Sequence, residues 1–183
     1  MTVNIVTKNP SKRMAAKKAF DKYNIETLFV DKEYPEVQAD TSLEIARFTA
    51  LQAAKELNMP VIREDHSLFI NALGIPGPYT TYFEKKISAG KILKMLEKEQ
   101  DRSGYFEVAT VYARPDGFTK ELTFRVPIEL AKEEKGGLQK GWARIIMLAN
   151  ENRTIAEYPE EERIDVWNKN YEEIAKWLLT ITV

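Results

Sequence analysis

The chain has no cysteine among its 183 residues and a single histidine, His66. The first absence excludes disulfides, thiolate zinc sites and cysteine nucleophiles, and it is compatible with a reducing, cytoplasmic setting. The second excludes a metal cluster built on histidines. An excess of one charge is also missing. Lys and Arg number 27 against 28 Asp and Glu, a formal net charge of −1, which provides no general field for a nucleic-acid polymer. No apolar run has the length of a signal peptide's core or a membrane span, so no membrane partner is expected. What remains is a composition 44% apolar and 30% charged, suited to one globular domain with a substantial core.

The most informative stretch is residues 61–78, VIREDHSLFINALGIPGP. Two apolar runs flank the acidic pair Glu64-Asp65, and the segment ends in a stiff Pro-Gly-Pro loop. Acidic residues are poor strand formers and are rarely buried without partners, so the strand is expected to break at the pair and then resume. Such a break is either a solvated turn or the edge of a cleft where hard carboxylate oxygens hold Mg²⁺ against a phosphate-bearing substrate. His66, beside Asp65, is either a proton shuttle or a partly exposed neighbour.

The rest of the chain supplies a frame. Residues 3–6 read as a buried strand. Asn9 is a helix N-cap with Pro10 at the first helical position, and the helix runs to about Asp21. Lys12 and Arg13 then fall in its first turn, where the dipole disfavours cations. Either they are exposed and mildly unfavourable, or a phosphate binds there and reverses the sign. A second strand over residues 26–30 makes strand–helix–strand, the opening of an α/β sheet. Thr41 and Glu44 form a capping box ahead of an Ala-rich helix that ends near Asn58. Two short helices are expected over residues 80–86 and 88–98. Residues 105–113 and 122–130 alternate on either side of Arg114-Pro115-Asp116-Gly117, the clearest hairpin in the chain, expected to form a projecting lobe. Residues 144–148 are apolar enough for a further strand. Pro159 opens a last helix whose stripe of Ile164, Trp167, Tyr171, Ile174 and Leu178 places Trp167 in the core.

The order of these motifs resembles the Ham1/inosine triphosphate pyrophosphatase family over nearly the whole chain. Thr7, Asn9 and Lys12 match its T-x-N-x-x-K loop. Glu36-Val37-Gln38 matches its E-[IV]-Q, and residues 64–68 match its E-D-S-G-L strand. Pro76-Gly77-Pro78-Tyr79 matches P-G-x-Y, while Arg153-Thr154-Ile155-Ala156-Glu157 and Glu161-Glu162-Arg163 resemble K-T-x-A-E and E-E-K. The resemblance implies a mixed sheet flanked by helices, arranged as one domain over residues 1–183 with two lobes and an active-site cleft between them. It further implies a homodimer and the hydrolysis of non-standard purine nucleoside triphosphates to monophosphate and pyrophosphate. In that reading Thr7, Asn9 with its neighbouring amides, and Lys12 hold phosphates. Glu36, Asp65 and Glu64 hold Mg²⁺, with Mn²⁺ as an alternative, and Asp65 is a metal ligand or general base, with Glu36 also catalytic.

Departures from the family pattern cluster on base recognition. Thr49 stands where the family's helix carries a phosphate-binding lysine, and His66-Ser67 replaces Ser-Gly. The G-F-G-Y-D-P loop survives only as residues 141–146, and the final S-H-R falls at Trp167-Asn168-Lys169. Trp142, Arg163 and Lys169 are the remaining candidates to contact a base. The alternative is a catalytically weak or inactive relative that binds a nucleotide or a protein partner.

Overall fold

A computed structural model describes residues 1–35 and 37–181. Glu36 lies outside the described residues. The chain divides into two compact units, residues 1–66, 108–124 and 164–183, and residues 67–107 and 125–163. The fold is α/β with a mixed sheet.

The first unit grows from strand β1 (Thr2–Val6), helix α1 (Pro10–Asp21) and strand β2 (Glu26–Val30). β1 pairs in parallel with β2, in register from Thr2↔Glu26 to Val6↔Val30, and with β3 (Val61–Ile70) at Ile5↔Ile62. Parallel neighbours require a crossover, and α1 provides it. Helix α2 (Ser42–Leu57) leads into β3. Its start is the expected capping box, with Thr41 accepting from the Glu44 amide while Glu44 accepts from the Thr41 amide. Its end is Asn58 at φ +50, a left-handed cap that an Asn side chain tolerates. The C-terminal part of β5 (Ser103–Ala113) and the N-terminal part of β6 (Thr119–Leu130) extend the order to β2-β1-β3-β5-β6. Helix α5 (Lys169–Ile181) closes the unit.

The pleat of the strands sorts this unit into two cores. Val3, Ile5, Ile62 and Tyr112 face α1 and α5, where they meet Ala16, Phe20, Tyr171 and Ile174. Val6, Val61, Ala109 and Val111 face α2, whose Ala46, Ala50, Ala53 and Ala54 let it lie close to the sheet. A strand with helices on both faces has no solvent side, so each of its polar residues needs a partner on one face or the other.

In the second unit the end of β3 pairs antiparallel with β4 (Ile75–Gly77), from Leu68↔Gly77 to Ile70↔Ile75. Ile75-Pro76-Gly77 is therefore a short strand rather than a loop, with Pro78 in the turn that follows. Helices α3 (Thr80–Lys86) and α4 (Ala89–Met95) follow, α4 capped by Ser88 as expected. β7 (Ile146–Leu148) pairs antiparallel with β6. The hairpin arms are β5 and β6 themselves, strands of the sheet that each contribute residues to both units.

Two expectations need correction. β3 does not break at the carboxylates: Val61–Ile70 is one strand, and Glu64 and Asp65 sit inside it on opposite faces. The last helix is not continuous from Pro159. Glu160–Val166 is a 3₁₀ segment, and α5 starts afresh after Asn168, which accepts at its carbonyl from the Glu172 amide and donates through Nδ2 to Asp165 at 3.0 Å. Ile164, Tyr171, Ile174 and Leu178 are buried as the stripe requires, but Trp167 falls in the break and is only half-buried.

Candidate active site

The turn from β1 into α1 is shaped by its own side chains. The Asn9 side chain accepts from the amides of Ser11 at 2.9 Å and Lys12 at 3.3 Å, and the Asn9 amide donates to Thr7 Oγ1 at 3.2 Å. Arg13 donates through two nitrogens to the Thr7 carbonyl, at 3.1 and 2.9 Å, and pairs with Asp31. Two of the helix's first amides are thus already capped by Asn9, so the turn offers an ammonium more readily than a cradle of free amides. That ammonium belongs to Lys12, whose Nζ donates to the carbonyl of Glu64 at 2.7 Å. Thr7, Asn9 and Lys12 are therefore brought together, and Lys12 is anchored on the strand that carries the acidic pair.

The two carboxylates of that pair have different surroundings. Glu64 has a side chain only 1% exposed and belongs to the α5 face. Its Oε1 lies 2.7 Å from His66 Nε2, and its Oε2 accepts from Thr110 Oγ1 at 3.2 Å. Behind it Asn170, in the first turn of α5, donates to the Val108 carbonyl and to Thr110 Oγ1. The wholly buried Tyr171 hydroxyl is held neutral, its pKa raised well above 10 by burial and then by the nearby Glu64 carboxylate. His66 stacks on Trp167, with ring centroids 5.5 Å apart and 29° between planes. Glu64 is thus the centre of a buried polar network, a placement expected of a carboxylate inside a two-sided sheet.

Asp65 points to the opposite face and is half-buried, with Oδ2 shielded from solvent. Arg63 shares that face. Its guanidinium donates from Nε to Thr49 Oγ1 at 3.3 Å and from one terminal nitrogen to the Val6 carbonyl at 3.0 Å. It also lies 5.7 Å from the centre of the Tyr34 ring. Thr49 is buried and donates its hydroxyl to the Ile45 carbonyl at 2.8 Å.

A hard cation at this end of β3 would need oxygen donors. Among the described residues no three His, Asp or Glu side chains gather into a metal cage. Glu64 is almost wholly buried and already accepts from Thr110 and contacts His66, which makes it the poorer candidate ligand of the pair. Asp65, a half-buried carboxylate one residue from the carbonyl that holds Lys12, offers the oxygen chemistry such a cation takes. Glu36 lies outside the described residues.

The base-contact candidates are placed as follows. In the second unit Trp142 is 2% exposed, donates its indole N–H to the Ile87 carbonyl at 2.8 Å and has its amide bound by Glu84. Its ring is core and presents no face for stacking, which corrects the expectation drawn from its sequence. Arg163, in the same unit, is 5% exposed, donates to the Ile155 carbonyl at 2.8 Å and lies over the Tyr158 ring. Burial depresses its pKa, and its Nε is enclosed without a hydrogen bond among the described residues. Lys169, in the first unit, is exposed at the start of α5 with Nζ 5.8 Å from the Phe124 ring. Sequence reasoning missed Arg63, Thr110, Asn170 and Tyr171. An arginine next to the acidic pair, between apolar runs, was the one available signal.

Comparison with known proteins decides the family. The Ham1 family model matches residues 3–176.

The chain belongs to the Ham1 family. A dITP/XTP pyrophosphatase of Methanopyrus kandleri is 37% identical over 97% of this chain and 96% of its own length. A dITP/XTP pyrophosphatase of Thermococcus kodakarensis is 36% identical over 97% of each. Among solved structures, a HAM1 protein from Coxiella burnetii superposes with a TM-score of 0.82 at 21% identity, covering 98% of this chain and 99% of that one. The Ham1 protein of Staphylococcus aureus gives 0.79 at 24% identity, with the same coverage. These likenesses confirm the α/β fold expected from the resemblance to Ham1 proteins.

Proposed function

We propose that this Ham1 chain is a nucleoside triphosphate pyrophosphatase, a hydrolase of acid anhydrides that converts non-standard purine triphosphates such as dITP and XTP to monophosphate and pyrophosphate. The observation that carries the reading is the Lys12 ammonium fixed at 2.7 Å on the Glu64 carbonyl, one residue from the half-buried carboxylate of Asp65. A cation at the N-terminus of α1, anchored to the strand one residue from a carboxylate, is what a phosphate chain and its counter-ion require. The curated relatives carrying the pyrophosphatase name match the chain end to end.

Mg²⁺ is the proposed metal, with Asp65 and Glu36 as its proposed ligands. When bound, such an ion neutralises charge on the phosphates and helps to make a nucleophile of water. The chain's own residues do the rest. Thr7 and Asn9 fix the shape of the turn, so that Lys12 meets the phosphate tail at a set position. Asp65 is the proposed metal ligand or general base, in the second role orienting an attacking water and taking its proton. Lys169 is the proposed base contact, and the departure of residues 141–146 and 167–169 from the family pattern is the basis for proposing altered base specificity. A homodimer is the proposed assembly, with α3, which buries none of its residues and leaves Tyr82 62% exposed, as its surface.

The test is a hydrolysis panel of dITP, XTP, ITP, GTP, ATP and the pyrimidine triphosphates with Mg²⁺ and with Mn²⁺, the products being separated. Monophosphate plus pyrophosphate, abolished in Asp65→Asn, is the expected result. Folded protein that turns over none of them, or that releases single phosphates, would overturn the reading.

A further inference from the structure

The first turn of α1 carries two cations in succession, and they are held in different ways. Lys12 reaches across to β3, where its Nζ donates to the Glu64 carbonyl. Arg13 folds back over the turn that precedes it. It donates from Nε at 3.1 Å and from a terminal nitrogen at 2.9 Å, both to the carbonyl of Thr7. The same guanidinium pairs with Asp31, just past the end of β2, and its Cζ lies 5.4 Å from the centre of the Phe29 ring. We infer that Arg13 is a positioning residue of the β1–α1 turn, holding the Thr7 carbonyl so that Thr7, Asn9 and Lys12 meet a phosphate chain in a set geometry. The inference rests on the reading of this turn as the phosphate end of a triphosphate site.

Three features support it. First, Thr7 is gripped at both ends. Its Oγ1 accepts from the Asn9 amide while its carbonyl accepts from Arg13, and Asn9 in turn caps the amides of Ser11 and Lys12. Residues 7–13 thus close on themselves, with Arg13 as the clasp. Second, a carbonyl oxygen in an anion-binding turn carries partial charge of the wrong sign. Two charge-assisted bonds from one cation fix its direction and offset that charge. Donors set in one plane can converge on one oxygen in this way, which the point charge of an ammonium does not reproduce. Third, Lys8 pairs with Glu33 at 3.3 Å and Arg13 with Asp31, so two residues of the turn are fastened to the segment that follows β2. Lys8, Glu33 and Asp31 are exposed, and ion pairs at the surface add little to folding stability. What these pairs supply is placement of the turn.

Two accounts compete with this one: Arg13 as a direct phosphate contact, and Arg13 as a brace for folding alone. Calorimetric affinity for inorganic pyrophosphate in Mg²⁺ buffer would be measured for the wild-type chain, Arg13→Met, Arg13→Lys and Asp31→Asn, together with melting temperatures. Steady-state kcat and KM would be taken on the best triphosphate. Arg13→Met is expected to weaken pyrophosphate binding and raise KM about tenfold, the size of one lost charge-assisted contact, with kcat changed less than about twofold. Arg13→Lys should recover only part of the affinity. Asp31→Asn separates positioning from direct contact by the sign of its effect. A phosphate-binding arginine relieved of Asp31 would hold pyrophosphate more tightly, whereas a positioning arginine deprived of its anchor gives binding weaker by a few-fold. Tighter binding in Asp31→Asn, or full recovery in Arg13→Lys, would overturn the inference. Lower melting temperatures with unchanged pyrophosphate affinity and KM would show a folding brace and overturn it too, as would a wild-type chain with no affinity for pyrophosphate. Should the affinities follow the expected pattern in a chain that hydrolyses no triphosphate, the pyrophosphatase reading would fall and the role of Arg13 in the anion-binding turn would stand.

Discussion

The two faces of β3 between residues 61 and 66 carry the same kinds of residue to opposite ends. On the α5 face Ile62, Glu64 and His66 run from core into a polar network closed by Thr110, with Asn170 and Tyr171 behind it. On the α2 face Val61, Arg63 and Asp65 run from core towards the β1–α1 turn, with Lys12 tied to the backbone between them. Glu64 and Asp65 are neighbours in sequence, yet one is sealed inside the unit and the other is half-buried on the opposite face. Charge alone does not make a site. The pleat decides which carboxylate enters the buried network and which faces α2.

The sharpest way to break that comparison is to exchange the roles by mutation. Asp65→Asn is expected to reduce turnover by about 10²-fold or more, as removal of a general base or metal-binding oxygen does, with the melting temperature nearly unchanged. Pyrophosphate release and differential scanning fluorimetry on one preparation would show it. Glu64→Leu should do the reverse in kind, because it strands the donors of His66 and Thr110 in the interior. The expected cost is about 2–4 kcal/mol of stability by chemical denaturation. Glu64→Gln, which keeps an acceptor, should cost less. Were Glu64→Gln to silence turnover in a fully folded chain, the division between the faces would fail.

Tyr171→Phe sharpens the comparison through pH. The folded-state pKa of Tyr171 lies well above the ordinary value of 10, raised by burial and then by Glu64. A raised folded pKa gives stability that is complete below the unfolded value and lost as pH climbs from there towards the folded one. The wild-type chain should therefore lose stability faster than Tyr171→Phe above about pH 10, and the two melting curves should converge. Parallel curves up to pH 11 would argue that the hydroxyl is not shielded. The smallest effect belongs to Asn9→Ala, which removes the cap of α1. About 1 kcal/mol of stability is expected to go, with a rise in KM for the triphosphate of a few-fold at most.

Much of this was legible in the sequence. Asn9 and Thr41 as caps, Asn58 as a helix end and the hairpin around residues 114–117 all follow from local chemistry that a short window contains. The candidate phosphate turn was legible for the same reason, since Thr7, Asn9 and Lys12 act within one loop. What failed to show was set by contacts distant in sequence. Nothing near Glu64 reveals that Thr110 and Tyr171 will meet it, so its burial was invisible and a break in β3 looked necessary. Trp142 read as a candidate base platform because only the fold brings Ile87 and Glu84 to it. Trp167 fitted a helical stripe; the restart of the helix at Asn168 leaves it half-buried, packed against the core rather than inside it.

The division of the chain has a consequence for how the molecule is made. The backbone passes from one compact unit to the other at residues 66–67, 107–108, 124–125 and 163–164, so neither unit is a continuous stretch. The core that holds Phe20 and Ile62 is completed by Tyr171 and Ile174. On a ribosome, the first 66 residues therefore emerge with half of a core and must wait for the last twenty. During that interval the β1–α1 turn and its lysine are already out while the helix that seals Glu64 is still unmade. Synthesis order makes the phosphate end of the candidate site early and its buried support late, and the whole first unit should lock in only after residues 164–183 have emerged.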